Sequence, residues 1–165
     1  MYILNSDESG DTPEDFQQAW NSYQEYLQSV QHKLPPSVYE FAGAEWRYSF
    51  NDSRSLHDAW VESVIIEERT LTEDYHSRHL EIRVLLLGPY QDGNILLAYQ
   101  GVHSYSMQKR RKERPFYAPG QSHGDWLVDE IRLSENELIL HEIELVLGTW
   151  LIECENLSYE WQPFA

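Results

Sequence analysis

Between residues 59 and 157 six runs carry apolar side chains at every second position and are rich in β-branched residues: 60–67, 80–87, 95–105, 126–133, 138–147 and 150–157. A period of two puts one face of each run against a core and the other toward solvent, so these segments are expected to be strands. The connectors set their order. Residues 70–78 are polar, 88–93 are turn-rich, 134–137 form a hairpin link and Gly148 permits an abrupt turn. Links this short favour antiparallel neighbours. The exception is 107–125, where a basic run precedes Pro115, Pro119, Gly120 and Gly124. This punctuation predicts a long loop at the rim of the sheet, where binding functions often sit.

One helix precedes the strands. Phe16, Trp20, Tyr23, Leu27, Val30 and Leu34 recur at alternating steps of four and three, which predicts an apolar stripe on a helix over 12–34. Thr12 can cap it, Pro13 suits its first turn, Asp15 favours its positive end, and Pro35-Pro36 stops it. A short helical turn is expected near 38–42, followed by a loop. The expected fold is α+β: one domain over 1–165, with the N-terminal helix packed on an antiparallel, meander-like sheet of about six strands across 59–161.

Alternation also assigns faces. In 126–133, Leu127, Ile131 and Leu133 are expected to point inward and Glu130 and Arg132 toward solvent. In 138–147, Ile139, Ile143, Leu145 and Leu147 oppose Leu140, Glu142 and Glu144. Leu85-Leu86-Leu87 is apolar on both faces, as in a central strand.

Twelve basic residues against 28 acidic ones leave a net charge of −16, which repels phosphate backbones and anionic lipid surfaces. Nucleic acid and membrane are therefore excluded as expected partners, and a basic protein is favoured. Residues 125–165 hold ten acidic groups and one basic, whereas five basic residues cluster in 109–114. Glu142, Glu144, Glu153 and Glu155 alternate on two adjacent expected strands and form the candidate partner-binding face, with Tyr159 and Trp161 as anchors. Self-association through a strand edge, or between the basic loop and an acidic face, is a further possibility.

The leading reading is a non-enzymatic, cytoplasmic protein-binding domain. A rival reading places a small enzyme or ligand-binding pocket around His57, Asp58, His123 and Asp125. An imidazole near a carboxylate suits general-base chemistry, although neighbours in an extended chain point to opposite sides. His76 and His79, three apart, with His103, His123 and His141 elsewhere, do not match a metal-ligand pattern. His141 reads as a satisfied sheet residue. Phosphate loops, dinucleotide fingerprints and nucleophile elbows are missing from the sequence, so no cofactor is expected. Cys154, the sole cysteine, sits among apolar and acidic neighbours and is expected to be buried and inert, which fits a reducing compartment. The N-terminal MYILNSDESGD has no basic region of the kind a signal peptide carries, and no apolar run is long enough to span a bilayer.

The stretch SLHDAWVESVII at 55–66, with the later GDWLVDEIRL and LILHEIEL, resembles uncharacterised small bacterial proteins with a Leu-His-Asp-Ala element leading into a strand. Leu56 to Ala59 is its distinctive part, and the likeness covers about residues 55–155. Some of those proteins are regarded as immunity partners of secreted toxins. The resemblance implies a meander-like sheet domain, with a toxin-neutralising role as one form of the binding reading, and brings no catalytic residues with it.

Overall fold

The computed structural model describes residues 13–70, 78–110 and 122–165. Two helices, α1 (Pro13–Val30) and α2 (Pro36–Ala42), and a 3₁₀ turn at Glu45–Tyr48 precede six strands. These are β1 (Trp60–Thr70), β2 (Arg78–Leu87), β3 (Gly93–Lys109), β4 (Trp126–Leu133), β5 (Ile139–Leu145) and β6 (Gly148–Pro163). All pair antiparallel in the order β1-β2-β3-β6-β5-β4. The α+β fold expected from the sequence is therefore present, as two three-stranded meanders joined through β3 and β6. Strands β3 and β6 run further than the alternation suggested: Met107 to Lys109 still pair with Trp150 to Gly148, so the expected 107–125 loop begins later. The expected Thr12 cap, His76, and most of both the basic run and the 70–78 connector lie outside the described residues.

A bend divides the sheet. Gly101 has φ of +60°, and a Cβ there would lie 2.7 Å from the Glu155 carboxyl group, so this left-handed corner favours glycine. Inward-facing β6 residues run Trp150, Ile152, Cys154 before the corner and Leu157 after it, and this slip turns the two halves of the sheet around one core. The margins touch at one place: Trp60 bridges Asp125, the Asp58 N–H donates to the Trp126 carbonyl at 2.8 Å, and the Trp126 N–H donates to the Ala59 carbonyl at 3.0 Å.

Helix α1 buries Tyr23 and Leu27 as its stripe predicts, while Phe16, nearer its start, stays exposed beside the Tyr48 ring. Its second task was not visible in the sequence. Tyr23 Oη accepts from the Ile131 N–H at 3.0 Å and donates to the Ile131 carbonyl at 2.8 Å, and Tyr26 Oη accepts from the Leu133 N–H at 2.7 Å. Tyr48 Oη donates to the Asp129 carbonyl at 3.0 Å. Three phenols thus satisfy the backbone groups along the outer edge of β4, which would otherwise be buried without partners or left as a template for pairing.

One facing assignment and one solvation assignment on β4 are corrected. A bulge between Trp126 and Val128 turns the Trp126 indole into the core and leaves Leu127 outward, 37% exposed. Glu130 does lie on the outer face but is buried rather than solvated, close enough to Tyr23 and Tyr48 for its charge to help raise their pKa values. On β5, Ile139, Ile143 and Leu145 point inward and Leu140, Glu142 and Glu144 outward, as expected. Leu86 is buried, with Leu85 and Leu87 half-buried, on a strand flanked by β1 and β3.

Candidate functional site

The outer face of the second meander is a grid of twelve residues set by strand register. Its rows are Val128–Glu144–Thr149–Gln108, Glu130–Glu142–Leu151–Ser106 and Arg132–Leu140–Glu153–Ser104. Within it, four glutamates face a single arginine. Glu130 and Glu142 are directly opposed, an arrangement that destabilises a sheet unless a cation intervenes. Arg132 is that cation: its Nε lies 3.4 Å from Glu130 and its Nη2 pairs with Glu142. Glu153 accepts from Ser104 Oγ at 3.1 Å and Asn136 Nδ2 at 3.3 Å. A hydrogen bond from Ser134, the largest influence, holds its carboxyl below the usual range against desolvation, the next largest, with Asn136, Ser104 and the nearby His103 adding to the lowering. At the middle of the grid, Ser106, Glu142, Thr149 and Leu151 line an open groove of about 200 Å³, where Leu151 is 38% exposed.

The six residues expected at a partner interface divide into two groups. Glu142, Glu144 and Glu153 share this face, and Glu155 sits beside it on the bend with its carboxylate 3.1 Å from His103 Nε2. Tyr159 and Trp161 lie beyond the bend on the core side, opposite Leu97 and Ile95. Tyr159 stacks on Phe41 at 4.8 Å, packs at a tilt against Trp46 at 4.9 Å and donates to the Arg54 carbonyl at 2.8 Å. Burial, the main cause, raises its phenol pKa. Trp161 occupies the space that side chains at Gly88 and Gly93 would need. Leu151 is the apolar side chain that the glutamates surround.

The rival constellation is brought together in its backbone, since the chain before β1 runs beside the chain entering β4. His57, Asp58 and His123 each have local neighbours. His57 Nδ1 lies 3.1 Å from Asp58 Oδ2, and the ring packs edge-on against Phe50 at 4.5 Å. The alternation rule disfavours this His57–Asp58 contact, but Asp58 has φ of +64° and is not extended. His123 packs edge-on against Trp150 at 5.1 Å, and burial, followed by the charge of Lys109, lowers its pKa. Among the described residues, no group of three His, Cys, Asp or Glu side chains is placed to hold a metal ion.

A second polar cluster lies inside the fold and was not anticipated. The Asp129 carboxylate accepts from Trp126 Nε1 at 3.0 Å, from His141 Nε2 at 2.8 Å and from Arg47 Nη2. His141 Nδ1 in turn lies 2.8 Å from Tyr99 Oη. A carboxylate takes only a donor, so neutral His141 carries its proton on Nε2 and accepts the Tyr99 proton on Nδ1. Burial, then the positive charge of Arg47, pushes the imidazole well below its ordinary pKa and keeps it neutral. Arg47 also donates to the carbonyls of Ala42 at 3.1 Å and Phe41 at 3.3 Å, and its guanidinium lies over the Phe41 ring. Asp–His–Tyr order resembles a proton relay, but Tyr99, Asp129, His141 and Arg47 are all buried, and a substrate could not reach them. The cluster ties the 3₁₀ turn to three strands. Cys154 is buried as expected, and desolvation, chiefly, pushes its thiol up to about 12.

No protein-family model matches the chain, and neither does any curated protein. Among the described residues no helix is long and apolar enough to cross a membrane.

Proposed function

We propose that this chain is a protein-binding domain that receives a basic partner on the outer face of β4, β5, β6 and the end of β3. The observation carrying this reading is the grid itself: Glu142, Glu144 and Glu153, contiguous with the buried Glu130 and its Arg132 partner, around a groove holding an exposed leucine. Arg132 offsets the repulsion between Glu130 and Glu142, and with a single arginine among four glutamates the face keeps a net negative charge. Such a surface accelerates encounter with a cationic protein and sets its orientation, while Leu151 supplies apolar contact at the centre. Neutralisation of a basic toxin in the cytoplasm is one concrete form of this role, and the reading assigns no bond-making chemistry to the face.

The test is capture from native lysate by the wild-type protein and by the Glu144→Lys/Glu153→Lys variant, repeated at low and physiological salt. A basic protein retained by the wild type, lost with the variant and weakened by salt supports the proposal. Retention of the same protein by the variant, or binding indifferent to salt, refutes it.

A further inference from the structure

The two margins of the sheet are treated differently. The edge of β4 is sheathed by Tyr23, Tyr26 and Tyr48. Strand β1, eleven residues long and without proline, has no such cover: among the described residues, backbone pairing on its outer side ends at the Trp60–Asp125 bridge. Its centre is also its most apolar part, with Ile65 and Ile66 each 43% exposed and Val64 half-buried. A long, bare, aliphatic edge is what isolated proteins avoid through lysine, proline, bulges or a covering element, and the irregularity in β1 between Val61 and Ser63 leaves the register regular from Ser63 to Thr70.

The charges that follow its aliphatic centre are already matched within the chain. Glu67 holds Arg69 at 2.9 Å and Arg83 at 2.5 Å, and Glu68 holds Arg78 at 3.3 Å. From Ser63 onward the edge therefore offers backbone groups and aliphatic side chains rather than unbalanced charge, which disfavours a basic or acidic peptide as its occupant.

We propose that β1 pairs antiparallel with β1 of a second copy about a two-fold axis, joining two six-stranded sheets into one. A two-fold axis perpendicular to the sheet preserves its faces, so opposed residues must have the same parity and permitted registers differ by steps of two. In one register, Ile65 meets the second copy's Ile65 on the outer face, and Val64 meets Ile66 twice on the core face. Every aliphatic side chain at the centre of the strand then has an aliphatic partner. Shifting the sum of paired positions by two in one direction sets Ile65 against Glu67 and Val64 against Glu68; in the other, it sets Ile65 against Ser63 and Ile66 against Glu62. The self-complementary centre selects the first register.

Single-cysteine variants test both the pairing and its register, because the native Cys154 is buried. In the proposed register Ile65→Cys brings two thiols face to face, whereas two Ser63→Cys thiols lie four residues apart along the strands, about 14 Å, beyond the about 7 Å Cα limit for a disulfide. Under mild oxidation, Ile65→Cys is expected to give a disulfide-linked dimer and Ser63→Cys none. Light scattering is expected to find the wild type at twice its 19.5 kDa chain mass and Ile65→Arg as a monomer with an unchanged circular dichroism spectrum. A monomeric wild type at its highest soluble concentration overturns the proposal. So does failure of Ile65→Cys to cross-link, or cross-linking of Ser63→Cys to the same extent.

Discussion

Replacing Asp129 by alanine removes one carboxylate and strands three donors where water does not reach: Trp126 Nε1, His141 Nε2 and the Arg47 guanidinium. Breaking a buried ion pair by deleting one member costs about 3–5 kcal/mol, and each neutral donor left unpaired adds about 1–3 kcal/mol. These losses share one cavity and relax together, so they do not add in full. A total of at least about 4 kcal/mol is the reasonable expectation, a large share of the roughly 5–15 kcal/mol that holds a domain folded. Urea unfolding followed by tryptophan fluorescence measures it. With slopes of about 1–3 kcal/mol per molar urea, the midpoint should fall by more than about 1 M. Adding Arg47→Met to Asp129→Ala removes the stranded cation, so the double variant should lose clearly less than the sum of the single losses. A loss below about 1 kcal/mol for Asp129→Ala, or strict additivity in the cycle, would falsify the view that this carboxylate organises the core.

Two further outcomes are expected. His141 stays neutral in the fold, while in the unfolded chain it takes up a proton near pH 6.5. Stability should therefore be full above about pH 7.5 and fall as pH drops through 6.5, by up to about 1.4 kcal/mol per pH unit. Urea midpoints measured at several pH values should lose part of that slope in His141→Gln, and equal slopes would contradict the assignment. Tyr23→Phe should cost about 1–3 kcal/mol and speed hydrogen exchange at the Ile131 amide, which the phenol caps; unchanged exchange there would show that the hydroxyl does not protect the edge.

The strands and the N-terminal helix were legible because their periods are long and clean. Leu127 was misassigned because a bulge adds a residue that alternation cannot count. Glu130 was assigned the correct face, but the helix and 3₁₀ turn that cover it come from a distant part of the chain. The buried cluster left a partial trace: Asp129 shares its parity with Ile131 and Leu133, and His141 shares its parity with Ile139 and Ile143, so each is a polar residue on an apolar face. Arg47 left none, since 37–58 keeps no period. The acidic grid followed from strand alternation, while Tyr159 and Trp161 were separated from it by the slip at Gly101, a feature of backbone geometry rather than of composition.

The phenols along β4 also determine how far association through sheet margins can proceed. A layer with a single exposed border closes on itself after one union, whereas a layer with two can recruit subunits without end, as fibres do. By occupying the far border with hydroxyl groups from its own helix and 3₁₀ turn, the chain would turn a potential polymerising module into one whose growth terminates at a pair.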